Sequence, residues 1–133
     1  KQRQDSGYRH QVTHEITVTS KAHPVVEGVP KTFSMTDELY LFEVFEDEVE
    51  PLLTSNYNFD EAHFYSATHA VKEKKMFSND GWRHDPGSAL VGWTKQVAES
   101  RLVYLQGGDD PAAYASPEYQ RLIQNAVHWV ADA

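Results

Sequence analysis

Residues 116–131 constrain the fold of this chain more than any other stretch. Ser116 is a good N-cap, because its hydroxyl can accept a hydrogen bond from a free amide of the first turn, and Pro117 suits the first helical position. Tyr119, Leu122, Ile123, Ala126 and Val130 then recur at spacings of three and four. The pattern predicts an amphipathic helix from 116 to 131. One apolar stripe on such a helix has to be covered by a sheet or by another helix. The 133 residues, 40% of them hydrophobic, suffice for one such core but hardly for two.

The remainder of the chain supplies strands. From 11 to 20, Val12, His14, Ile16 and Val18 alternate with Thr13, Glu15, Thr17 and Thr19, the two-residue period of a half-buried strand. Residues 23–30 fit a single helical turn stopped by Gly28 and Pro30, and a second extended run covers 32–45. Glu46, Asp47, Glu48 and Glu50 read as a solvated turn, followed by a short strand at 49–54. Residues 55–88 form a long irregular excursion, with a strand expected around 63–70. Residues 89–94 and 101–106 flank a polar turn and pair as a hairpin, whose second strand ends at Gly107-Gly108. Residues 1–10 offer no buried face and read as a mobile or partner-dependent arm.

Composition removes several classes of function. The formal net charge is −8 and the twelve Lys and Arg residues are scattered, so neither nucleic acid nor an anionic membrane is an expected partner. The richest apolar stretch, 39–45, is broken by Glu43 and falls far short of the ~20 residues of a membrane span. Cysteine is absent, which excludes disulfides, thiolate metal ligands and a cysteine nucleophile within these residues. There is no Gly-rich phosphate loop, G-x-S-x-G elbow or H-E-x-x-H helix.

Three motifs in a fixed order carry a resemblance. His23-Pro24-Val25-Val26-Glu27-Gly28-Val29-Pro30 leads through Phe33 and Met35 to Asp37-Glu38-Leu39-Tyr40. Val91-Gly92-Trp93-Thr94 and Arg101-Leu102-Val103-Tyr104 follow as a strand pair, and the helix closes with His128-Trp129-Val130-Ala131. Over residues 12–133 the chain resembles ThuA-like (trehalose-utilisation-type) domains. The resemblance implies an α/β, flavodoxin-like sandwich related to class I glutamine amidotransferases, with residues 11–133 as its C-terminal portion. It also implies a protein of carbohydrate metabolism that binds or processes a sugar or an oxidised sugar derivative. The expected partners are a small carbohydrate and, as protein, a second copy or a preceding part of the same domain. The family commonly has a Gly-His pair after the strand at 101–106, and here stands Gly107-Gly108-Asp109-Asp110. A non-catalytic glycan- or protein-binding module on the same scaffold is therefore the alternative.

The candidate site follows from these motifs. Asp37 and Glu38 are neighbours in a strand, so their side chains leave on opposite faces and cannot act as a simple acid–base pair. Glu38, Asp37 and Asp109 are the candidate catalytic carboxylates, with His23, Tyr40, Gly108 and Asp110 as candidate substrate-binding residues. For each a plainer reading stands beside the functional one: an acid beside a core tyrosine, a turn-stabilising His23, a flexible loop leading to the Ser116 cap. Tyr57, Phe59, Phe64, Tyr65, Phe77 and Trp82 either stack on sugar faces or, as the plainer reading, fill a small satellite core or an interface. His63, His69 and His84 with Asp85 invite a metal-assisted hydrolase, but His63 and His69 in one strand would stand ~20 Å apart, too far for one zinc ion. The sequence thus assigns no metal and no cofactor.

Overall fold

The computed structural model describes residues 3–19 and 22–132. Its strands are β1 (Gly7–Val18), β2 (Thr32–Leu41), β3 (Glu50–Ser55), β4 (Tyr65–Ser66), β5 (Leu90–Val97) and β6 (Ser100–Leu105). The helices are α1 (Ala67–Val71), α2 (Pro111–Ala115) and α3 (Pro117–Ala131). One sheet holds the strands in the order β2-β1-β3-β5-β6, and β4 pairs with the start of β1. Every described pairing is antiparallel. A flavodoxin-like sandwich is built on a parallel sheet; what stands here is a mixed α/β fold around a curled antiparallel one. The curl brings the end of β6 to the free edge of β2, where the Tyr40 amide donates to Gln106 Oε1 at 3.1 Å and the Phe42 and Tyr104 rings meet edge to face.

The helix read from the sequence is α3. Ser116 Oγ accepts from the Tyr119 amide, Pro117 opens the first turn, and Tyr119, Leu122 and Ala126 are buried. Val130, at the end of the stripe, is 37% exposed. The other side of α3 holds the 3-10 turn Pro24–Val26: Asn125 Nδ2 donates to the carbonyls of Val25 and Glu27. Arg101 of β6 donates to the Trp129 carbonyl and lies over the Trp129 ring. Full burial of Leu122 alone contributes about 2 to 3 kcal/mol. Trp93 and Trp129, expected in the core, are only half-buried, Trp93 stacking on Tyr104.

Val12, His14, Ile16 and Val18 of β1 are buried as the alternation requires; Ser20, at the end of the expected strand, lies outside the described residues. The strand begins earlier than expected. Residues 7–10, assigned to a mobile arm, are part of β1, paired with β2 and β4. Lys1 and Gln2 of that arm lie outside the described residues. The alternation hid this start because a bulge interrupts it: Arg9 pairs with Leu39 and Val12 with Asp37, so His10 and Gln11 together oppose Glu38. Gln11 takes a left-handed φ of 52° to make the bulge. β2 stops at Leu41, short of residue 45, because Gly7 opposite Leu41 is the first residue of β1 and nothing pairs beyond it.

The excursion is better ordered than a loop. Around 63–70 only Tyr65 and Ser66 form strand, and helix α1 follows, because its first turn finds two caps. Ser66 Oγ accepts from the His69 amide, and the Asp5 carboxylate accepts from the Thr68 amide and hydroxyl. Trp82 Nε1 donates to the Asp5 carbonyl. Phe59, Phe64 and Trp82 are buried, but in the main core with Ile16, Leu39 and Leu53 rather than in a satellite of their own. Phe77, 58% exposed, is the exception.

Candidate functional site

The bulge in β1 builds the site. A strand with strict alternation would put Tyr8 and His10 on the same face as Val12 and His14, against the core. The extra residue reverses that face. Tyr8 pairs with Tyr40, and His10 comes to lie beside Glu38 on the side of β2 away from Asp37 and Met35. His10 Nδ1 stands 3.6 Å from Glu38 Oε1. Tyr40, two residues along the same face, donates its hydroxyl to Glu38 Oε2 at 2.6 Å. The ring of His10 is flanked by Tyr8 at 5.2 Å and Phe77 at 6.0 Å.

Asp37 plays a different part on the opposite face. Fully buried, its carboxylate accepts from the amides of Glu38 at 2.8 Å, Gly108 at 2.5 Å and Asp110 at 3.1 Å. It is the anchor of the loop 107–110. Gly107 lets the loop pack closely: a Cβ there would stand 2.7 Å from the Met35 methyl, which would have to shift, and 3.1 Å from an Asp37 oxygen. Gly108 has a φ of 125°, and its carbonyl accepts from the Tyr114 hydroxyl. The Asp110 carboxylate caps α2 by accepting from the Ala112 amide. Tied at both ends, the loop leaves Asp109 exposed at its crest with its carboxylate against Glu38. The atoms of His10, Glu38 and Asp109 lie within 4.8 Å of one another.

Burial first, and this crowding second, set the proton affinities. Burial pushes the Glu38 carboxyl above the usual carboxylate range. The Tyr40 hydrogen bond and the nearby His10 pull it back, and the charge and hydrogen bond of Asp109 push it up again. Burial, then the hydrogen bond to Glu38, drives the Tyr40 phenol far upward, so it remains a donor at every physiological pH. The result is a carboxyl able to exchange a proton, a fixed phenol donor, an accessible imidazole and a second carboxylate, bordered by the exposed ring of Phe77. Such a set can hydrogen-bond vicinal hydroxyls and move a proton at a bound ligand.

Of the residues named from sequence, the fold brings Glu38, Tyr40 and Asp109 together. Asp37, Gly108 and Asp110 stand behind them and hold the loop. His23 is elsewhere, past the other end of β1, where its Nδ1 accepts from the Val25 amide and its ring packs on Trp129 at 4.7 Å. Its role there is to stabilise the turn. His10 was missed because residues 1–10 offer no buried face and read as a mobile arm; the hint was the aromatic Tyr8 and His10 just ahead of the regular run. The histidines of the excursion do not gather. His63 meets Asp60, His69 meets Ser78 and His84 meets the Asp85 carbonyl. A cleft of about 510 Å³ runs between residues 43–48 and 84–88, but the histidine on its wall, His84, is tied to that carbonyl.

The family model of ThuA, described as trehalose utilisation, matches residues 3–130. The chain belongs to the ThuA family. The match covers essentially the whole chain, including the β1 start and its bulge as well as the three motifs. Membership carries with it an α/β fold and a role in trehalose utilisation, within carbohydrate metabolism. No curated protein matches the chain. No helix among the described residues is long and apolar enough to cross a membrane.

Proposed function

We propose that this ThuA domain binds a sugar or an oxidised sugar derivative at the cluster of His10, Glu38, Tyr40 and Asp109, and that Glu38 is the group that exchanges a proton with it. The observation carrying this reading is the Tyr40–Glu38–Asp109 arrangement: a fixed phenol donor beside a carboxyl whose affinity for a proton is raised by burial first and by the neighbouring Asp109 second. Carboxylates paired with a phenol are the usual partners of sugar hydroxyls, and the exposed ring of Phe77 offers apolar surface for a pyranose ring. Glu38 and Asp109 are too close to admit a water between them in the manner of an inverting glycosidase, whose carboxyls stand ~6.5 to 9.5 Å apart. Proton transfer at a hydroxyl, or at the carbon beside a carbonyl of an oxidised sugar, fits the spacing better.

In this reading the antiparallel sheet and its covering helix α3 are part of a wider flavodoxin-like, amidotransferase-like sandwich, with the family as support. The test is a calorimetric and NMR titration of the chain with trehalose and with a keto derivative of it. Binding is expected in the millimolar range or tighter, lost in Glu38→Gln and Asp109→Asn and kept in His23→Ala. Unchanged binding in both carboxylate variants would end the reading. Binding without turnover would select the second reading, a non-catalytic glycan module, which the exposed Phe77 and Met76 beside the site favour.

A further inference from the structure

We infer that His10, Glu38 and Asp109 form a binding site for one divalent first-row transition ion, with zinc(II) as the ion the donor set fits. The distances carry the inference. His10 Nδ1 and Glu38 Oε1, at 3.6 Å, are too far apart for a hydrogen bond. They match instead the ~3.4 Å edge of a tetrahedron whose centre lies ~2.1 Å from a nitrogen and an oxygen ligand. One carboxylate oxygen of Asp109 completes a triad whose atoms all lie within 4.8 Å.

Each ligand is also held from behind, as metal ligands are. The Tyr40 hydroxyl occupies Glu38 Oε2 and leaves Oε1 to face His10. The His10 ring is fixed between Tyr8 and Phe77. Asp109 sits on a loop that Asp37 grips by the amides of Gly108 and Asp110. All of this rests on the bulge, the one irregularity of β1, which sets two residues opposite Glu38 and aims His10 at it. Two crowded carboxylates beside an imidazole are relieved either by a proton or by a cation.

The imidazole decides the class of ion. Calcium and magnesium take oxygen ligands, whereas one imidazole with two carboxylates suits zinc or a neighbouring transition ion. Three protein ligands leave a fourth position open to water or to a ligand hydroxyl. The site does not depend on the carbohydrate reading, because the test contains no sugar.

The experiment is a titration of chelator-stripped, tag-free chain with zinc(II) by calorimetry, and with cobalt(II) by visible absorption. One equivalent is expected to bind with micromolar or tighter affinity, with cobalt giving the intense bands of a four-coordinate site. His10→Ala, at a half-exposed position, and the near-isosteric Glu38→Gln should each weaken binding by tenfold or more, while His63→Ala and His128→Ala leave it unchanged. Circular dichroism establishes that the variants are folded. Affinity weaker than millimolar, or micromolar binding that persists in folded His10→Ala, would overturn the inference, the latter by assigning the metal to surface histidines.

Discussion

His14 makes the stability of this chain depend on pH in a way that can be calculated. The residue is 4% exposed in β1, its Nδ1 lies 2.7 Å from Ser55 Oγ, and its Nε2 finds no partner among the described residues. Burial lowers its pKa from 6.5 to about 4, with the charge of Asp37 acting in the opposite direction. The unfolded chain therefore takes up this proton near pH 6.5 while the folded chain refuses it until about pH 4. Stability from this group is complete above pH 6.5 and is lost as the pH falls through that window. At 1.36 kcal/mol per pH unit, the loss from pH 7.5 to pH 5 is about 2 kcal/mol, approaching about 3 kcal/mol below pH 4. Other groups titrate over the same range, so the quantity to measure is a difference. Urea midpoints of the natural chain and of His14→Gln at both pH values isolate it, and the natural chain should lose about 1 M more of midpoint for a slope of about 2 kcal/mol/M. Equal shifts in the two proteins would refute the reasoning and mean that His14 is protonated, or reached by water, in the folded chain.

Two further predictions concern the scaffold of the site. Asp37→Ala strands three amides that now share one buried carboxylate, and should cost about 3 to 5 kcal/mol by chemical denaturation, with faster hydrogen exchange at the Gly108 and Asp110 amides. Gln11→Gly removes the strain of a left-handed residue at an exposed position and should raise stability by about 0.5 to 1 kcal/mol, read as a higher urea midpoint.

Regular periods in the sequence translated well into structure. The helix from Ser116, the alternation from Val12 to Val18, the 3-10 turn at Pro24 and the hairpin of β5 and β6 all rest on local rules that tertiary contacts did not override. Glu38 and Tyr40 were legible as candidates through motif resemblance, and Asp109 through its place after two glycines at a strand end, but their separation from Asp37 and Asp110 was not. That depends on which face of β2 meets the loop 107–110, a contact between residues about seventy positions apart. Helix α1 was misread as strand because the carboxylate that caps it, Asp5, comes from the far end of the chain. The sheet's antiparallel order is likewise a matter of long-range pairing that no local pattern encodes.

The bulge at His10 and Gln11 has a consequence for how this site could be gained or lost. Its chemistry depends on a count of residues as much as on their identities: remove Gln11, and every retained side chain ahead of it rotates by half a turn of the pleat, carrying His10 inward and Tyr8 with it. A survey of single substitutions would pass over Gln11 as a tolerant surface position. A one-codon deletion at the same place would dismantle the site while leaving Glu38, Tyr40 and Asp109 intact in the sequence.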